Sequence, residues 1–151
     1  EGSENAAGAF TFTNGSLKGN AASSEFADFR SKAQGTVSNL YFFGFNENAD
    51  VELDDDVSSS NFSSGALTLS NNSFNSTAWT IVDGEPDGNT TTWASVTDLF
   101  ADKSASGDAA AADAKFEAAG NALVTSKTNG ANKSEFTGWT LADAEGLLAD
   151  F

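Results

Sequence analysis

A ten-residue phrase is written twice in this chain, as GAFTFTNGSL at residues 8–17 and GALTLSNNSF at 65–74. Leu67 and Leu69 stand where Phe10 and Phe12 stand, and Asn71, Ser73 and Phe74 fall on Asn14, Ser16 and Leu17. A shorter form (apolar, Ser or Thr, Asn, two variable residues, apolar) recurs as VSNLYF at 37–42. Its asparagines, Asn14, Asn39 and Asn71, are spaced 25 and then 32 residues apart. Self-similarity at such periods marks supersecondary units that bury their apolar faces by stacking.

The local chemistry favours strands. Phe10 and Phe12, and again Leu67 and Leu69, alternate with Thr or Ser, the period of a strand with one buried face. Asn tolerates the left-handed backbone that most residues avoid, so it suits a sharp bend between short strands. Strand, Asn bend and strand, once per rung, predict an all-β, parallel β-helix of about three to four rungs. Stacked rungs set Asn14, Asn39 and Asn71 above one another as a hydrogen-bonded ladder. The seven extra residues of the second interval are expected in a loop within NENADVELDDDVSSSN, residues 46–61.

AQGTVSNLYFFGFNENADVELDDD (33–56) followed by GALTLSNN (65–72) resembles the terminal rungs of secreted right-handed parallel β-helix proteins. Pectate lyases and many surface proteins of Bacteroidetes-type bacteria share that architecture. The resemblance spans residues 8–82 and implies the right hand of the β-helix and an extracellular or cell-surface protein, without implying an activity. Residues 1–84 are therefore expected to form the rungs, and 85–151 a cap of loop and short helices packed on them as one unit. In that cap, 94–102 reads as a short helix and SGDAAAADAKFEAAGN (106–121) as a helix ending near Gly120. EFTGWTLADAEGLLADF (135–151) reads as one strand and a short helix.

Composition excludes several functions. Seven basic residues, Arg30 the one Arg among them, and a net charge of −15 make nucleic acid and anionic membranes poor partners. No apolar run is long enough for a membrane span or a signal-peptide core. With no Met in the chain, a processed or excised start at Glu1 is the expectation. The chain has neither Cys nor His, which removes Ser-His-Asp, Cys-His and His-based zinc chemistry. Lyase-like proton abstraction leaves Arg30 and a few lysines as bases, and Arg30 has no acidic cluster beside it in the sequence. No catalytic residue is assigned.

Two binding chemistries remain. Asp50, Glu52, Asp54 and Asp56, spaced by two along an extended segment, gather carboxylates on one edge, as hard Ca²⁺ ligands require. A second acidic loop carries Asp83, Glu85, Asp87 and Asn89. No cofactor is required, and Ca²⁺ is the one these loops would take. Trp79, Trp93 and Trp139 are candidates to stack on a glycan. The favoured reading is a non-enzymatic structural or assembly component whose N-terminal edge is covered by a preceding rung or by a protein partner supplying a strand. The alternative is a carbohydrate-binding module assisted by calcium, and a third reading is a degenerate polysaccharide lyase.

Overall fold

The computed structural model describes residues 8–20, 22–82, 85–91, 93–138 and 140–146, and for residues 79–82, 85–91, 142 and 143 the backbone alone. The chain visits three short parallel sheets in turn. The first holds β1 (Phe10–Thr13), β4 (Gly35–Ser38) and β7 (Leu67–Ser70), in the order β1-β4-β7. The second holds β2 (Ser16–Lys18), β5 (Tyr41–Phe43), β8 (Ser73–Asn75) and β12 (Ala122–Val124), in the order β2-β5-β8-β12. The third holds β3 (Glu25–Phe29), β6 (Asp50–Leu53) and β11 (Phe100–Asp102), in the order β3-β6-β11. An antiparallel pair, β9 (Thr77–Val82) and β10 (Glu85–Thr91), stands apart from them.

Alternation sets the first sheet. Phe12, Val37 and Leu69 are register partners, as are Phe10, Gly35 and Leu67. Gly35 is required there: a Cβ on it would come within 2.2 Å of the Phe10 carbonyl oxygen, and its φ is +141°. Each of the three strands ends at an asparagine in the left-handed region, Asn14 (φ 58°), Asn39 (φ 56°) and Asn71 (φ 54°). The chain turns there into β2, β5 and β8. Leu17, Phe42 and Phe74, three residues past each asparagine, point to the interior, where Phe42 stacks on Phe74 at 4.8 Å.

The expectation of an all-β, right-handed parallel β-helix of three to four rungs is overturned. Two helices are built into the interior, which makes this a mixed α/β domain of short sheets. The first, α1 (Asp56–Ser64), lies in the stretch expected to be a loop, and β6 lies there too. Asp55 starts α1 by accepting hydrogen bonds from the Val57 and Ser58 amides, each 2.9 Å, and Gly65 ends it with φ 87°. The second, α2 (Ala109–Ala118), falls within the predicted 106–121 and is capped by Asp108. Phe62 of α1 and Phe116 of α2 are fully buried, and both rings lie against Phe100, at 5.5 and 4.4 Å. The core therefore closes on helices as well as strands.

The remaining local readings fare unevenly. Residues 94–102 hold a 3₁₀ turn (Val96–Leu99) running directly into β11. Within 135–151 the described residues hold a short helix, α3 (Leu141–Ala144), and no strand. β11 and β12, both from beyond residue 84, join sheets begun by residues 1–84. Among the described residues no helix is long and apolar enough to cross a membrane.

Candidate functional site

The two ends of the first sheet differ. At the β7 end the backbone is closed by the turn after α2: the Asn71 amide donates to the Ala119 carbonyl at 3.0 Å, and the Asn121 side chain donates to the Leu69 carbonyl at 2.9 Å. At the other end β1 is an edge, as β2 and β3 are in their own sheets. Phe10 and Asn14 turn their amides to the Gln34 and Ser38 carbonyls of the β4 pass, each at 3.2 Å. In a parallel ladder a residue's N–H and C=O face the same side, and sides alternate along the strand. Those of Thr11 and Thr13 therefore face away from β4, where no strand lies among the described residues.

The side chains tell the same story. Val37, Leu67 and Leu69 are buried, whereas Phe10 and Phe12 in the same inward-facing rows remain 39% and 44% exposed. Phe10 stacks on Phe29 of β3 at 6.5 Å, so the exposed rings belong to the core and not to the outer surface. A large apolar group that faces a core and still meets water marks an uncovered end.

A second cluster lies on the third sheet. Pairing of β3 with β6 sets Glu25 beside Asp50 and Asp28 beside Glu52, and carboxylate oxygens of Glu25, Asp28 and Glu52 fall within 4.8 Å of one another. Glu52 is 8% exposed, and the Lys103 ammonium hydrogen-bonds to it. Lys103 also lies 3.9 Å from Asp50. Arg30 pairs with Asp28 and stands 4.0 Å from Asp54. Two of the three clustered carboxylates thus already face a cation, and the arrangement reads first as an ion-pair network tying β11 to β6 and β3.

Within it, burial first and then the neighbouring Glu52 charge push the Asp50 carboxyl up to about 6, against the pull of Lys103. Between its ordinary 3.8 and that value the folded chain holds more protons than the unfolded chain, so this group's contribution to stability falls as pH rises through the window. Asp50→Asn is therefore expected to melt above the parent at pH 7.5, with the difference closing towards pH 4. Thermal melts at the two pH values check this, and a parent that is the more stable at pH 7.5 would contradict the origin given for the shift.

The predicted residues are scattered. Asn14 and Asn39 are brought together, the Asn39 side chain donating to Asn14 Oδ1 at 2.5 Å. Asn71 instead lies against Gly120, and its carbonyl accepts from the Asn129 side chain. Asp50 and Glu52 share one face of β6, but Asp54 turns to Arg30, and Asp56 accepts the Ala105 and Ser106 amides as part of the α1 start. The predicted set of four carboxylates is not assembled. Glu25 and Asp28 are the acids that join Glu52, and they come from a different pass of the chain. Trp93 is buried against Phe26 at 5.4 Å, which removes it as a sugar platform. Asp83 and Trp139 lie outside the described residues, as do the side chains of Trp79, Glu85, Asp87 and Asn89.

The sequence reading passed over one further group. Asn72 and Asn121 are buried polar residues, with Asn72 Nδ2 donating to Asn121 Oδ1 at 2.9 Å. The visible signal was the doublet Asn71-Asn72, whose second member stands where the middle copy has Leu40. Compared with known proteins, the chain matches no family model, no curated protein and no solved structure.

Proposed function

We propose that this chain is a non-enzymatic structural or assembly component, completed at the edge of β1 by a strand from a protein partner. The observation that carries the reading is the pair Phe10 and Phe12, directed at the core yet exposed, on a strand with one open side. Strand addition at such an edge supplies main-chain hydrogen bonds for affinity and pockets for alternate side chains for specificity. The closed β7 edge supports the reading further, because it leaves the first sheet one available edge and not two. The absence of His and Cys from the sequence agrees with a role that needs no thiol nucleophile or imidazole base.

The test uses a labelled peptide GALTLSNNSF, the chain's own 65–74 phrase, as a model strand. Titration followed by fluorescence anisotropy, at dilute protein, is expected to give saturable binding that unlabelled peptide displaces. Thr11→Pro, which removes an outward-facing N–H and leaves the β4 side intact, should weaken binding at least about tenfold. A folded parent that takes up no peptide, or a Thr11→Pro variant that binds it equally, sinks the proposal.

A further inference from the structure

We propose that the partner at this edge is a second copy of the chain, joined by antiparallel pairing of β1 with β1 about a two-fold axis through Thr11. This rests on the reading of β1 as an open edge and adds its occupant. A head-to-tail contact within the sheet would need the far side of β7, and that side is closed by Ala119 and Asn121. β1 is then the edge of this sheet that two copies have in common, and an interface made of one patch on both partners is a closed, two-fold one.

The register follows from which groups face outwards. With Thr11 on the axis, its N–H and C=O exchange hydrogen bonds with Thr11 of the second copy, and Thr13 does the same with Ala9. Phe10 then falls opposite Phe12 of the second copy, in non-hydrogen-bonded pairs whose side chains approach most closely. All four exposed rings are covered. A shift that centres the axis on Phe12 would set each Phe10 against Asn14, so apolar matching selects Thr11.

Charge favours the same face. The chain carries −15, and copies meeting at random repel. Over residues 8–34, however, three cations, Lys18, Arg30 and Lys32, stand against two carboxylates, Glu25 and Asp28, leaving one net positive charge. Phe10, at the start of β1, stacks on Phe29 of β3, while the end of β1 leads into β2 and Lys18. The β3 side carries Arg30, paired with Asp28, and Lys32 as well as Glu25, so no like charge is massed at this end to oppose the contact.

Sedimentation of the full chain over a concentration series is expected to show a monomer–dimer equilibrium that Thr11→Pro abolishes. Because the chain has no Cys, Thr11→Cys introduces a single thiol at the axis. Mild oxidation should link it to itself, since facing strands hold such residues within disulfide reach. Thr68→Cys, in the same outward row two strands away on β7, should stay unlinked. A chain that stays monomeric to about 1 mM overturns the second copy. A dimer that persists in folded Thr11→Pro, or that links as readily through Thr68→Cys, also overturns it. A monomer that binds the strand peptide leaves the open-edge reading standing, and a monomer that does not bind it removes both. If Thr11→Pro fails to fold, the two cysteine variants decide.

Discussion

Phe116→Ala is expected to cost about 3–5 kcal/mol of stability, the usual price of removing a fully buried aromatic ring. The ring is 0% exposed and stacks on Phe100 at 4.4 Å, with Phe74 at 6.1 Å. Those contacts join α2 to two different sheets, so little can move in to fill the space. For a chain of this size the loss corresponds to a fall in melting temperature of about 10 °C or more. Phe10→Ala is the control at dilute, monomeric protein, since its ring is 39% exposed there and its removal should cost no more than about 1 kcal/mol. Denaturant unfolding of the two variants checks the contrast. Equal losses would mean that α2 is not part of the cooperative core.

Asn72→Leu comes next in size, with an expected loss of about 2–4 kcal/mol from stranded buried polar groups. Asn72 Oδ1 accepts the Leu40 amide at 3.1 Å, and its Nδ2 reaches the Val37 carbonyl at 3.3 Å and Asn121 Oδ1 at 2.9 Å. Asn121 in turn donates to the Phe116 carbonyl at 2.7 Å and the Leu69 carbonyl at 2.9 Å. The pair therefore satisfies backbone groups at the end of α2 and at the bends after β4 and β7. Leucine at 72 keeps the volume and matches Leu40, so a large loss isolates the hydrogen bonds from packing. An unchanged unfolding midpoint would show that water replaces the network at no cost.

Parts of this fold were legible in the residues alone. Phe10 and Phe12, Val37, and Leu67 with Leu69 alternate with Thr and Ser, and alternation at period two is a local property that survives into strands. Asn14, Asn39 and Asn71 were legible for a similar reason, because a left-handed bend is chosen within one residue's own backbone. The helical stretch around α2 showed itself by alanine content and by Gly120 beyond its end.

Other parts were misread because one pattern suited two chemistries. Asp50-Val51-Glu52-Leu53 alternates as a strand does, but its acids invited a reading as a ligand loop, and β6 was missed. Asp55, to which the sequence pattern assigned no role, is the cap that turns the chain into α1. Trp93 reads the same in sequence whether it faces a sugar or Phe26; its neighbours in space decide.

By itself, then, the sequence determined the strand alternation, the asparagine bends, the end of α2 near Gly120 and the exclusion of thiol and imidazole chemistry. These follow from residue type and from backbone preferences over a few positions. Tertiary structure decided the rest: that helices as well as strands close the core, that Asn72 meets Asn121 across 49 residues, that Glu25 and Asp28 join Glu52, and that one edge of the first sheet is sealed while no strand among the described residues pairs with the far side of β1. Each of these depends on the free energy of bringing distant segments together. That sum is made over the whole core, and no short stretch of the chain contains it.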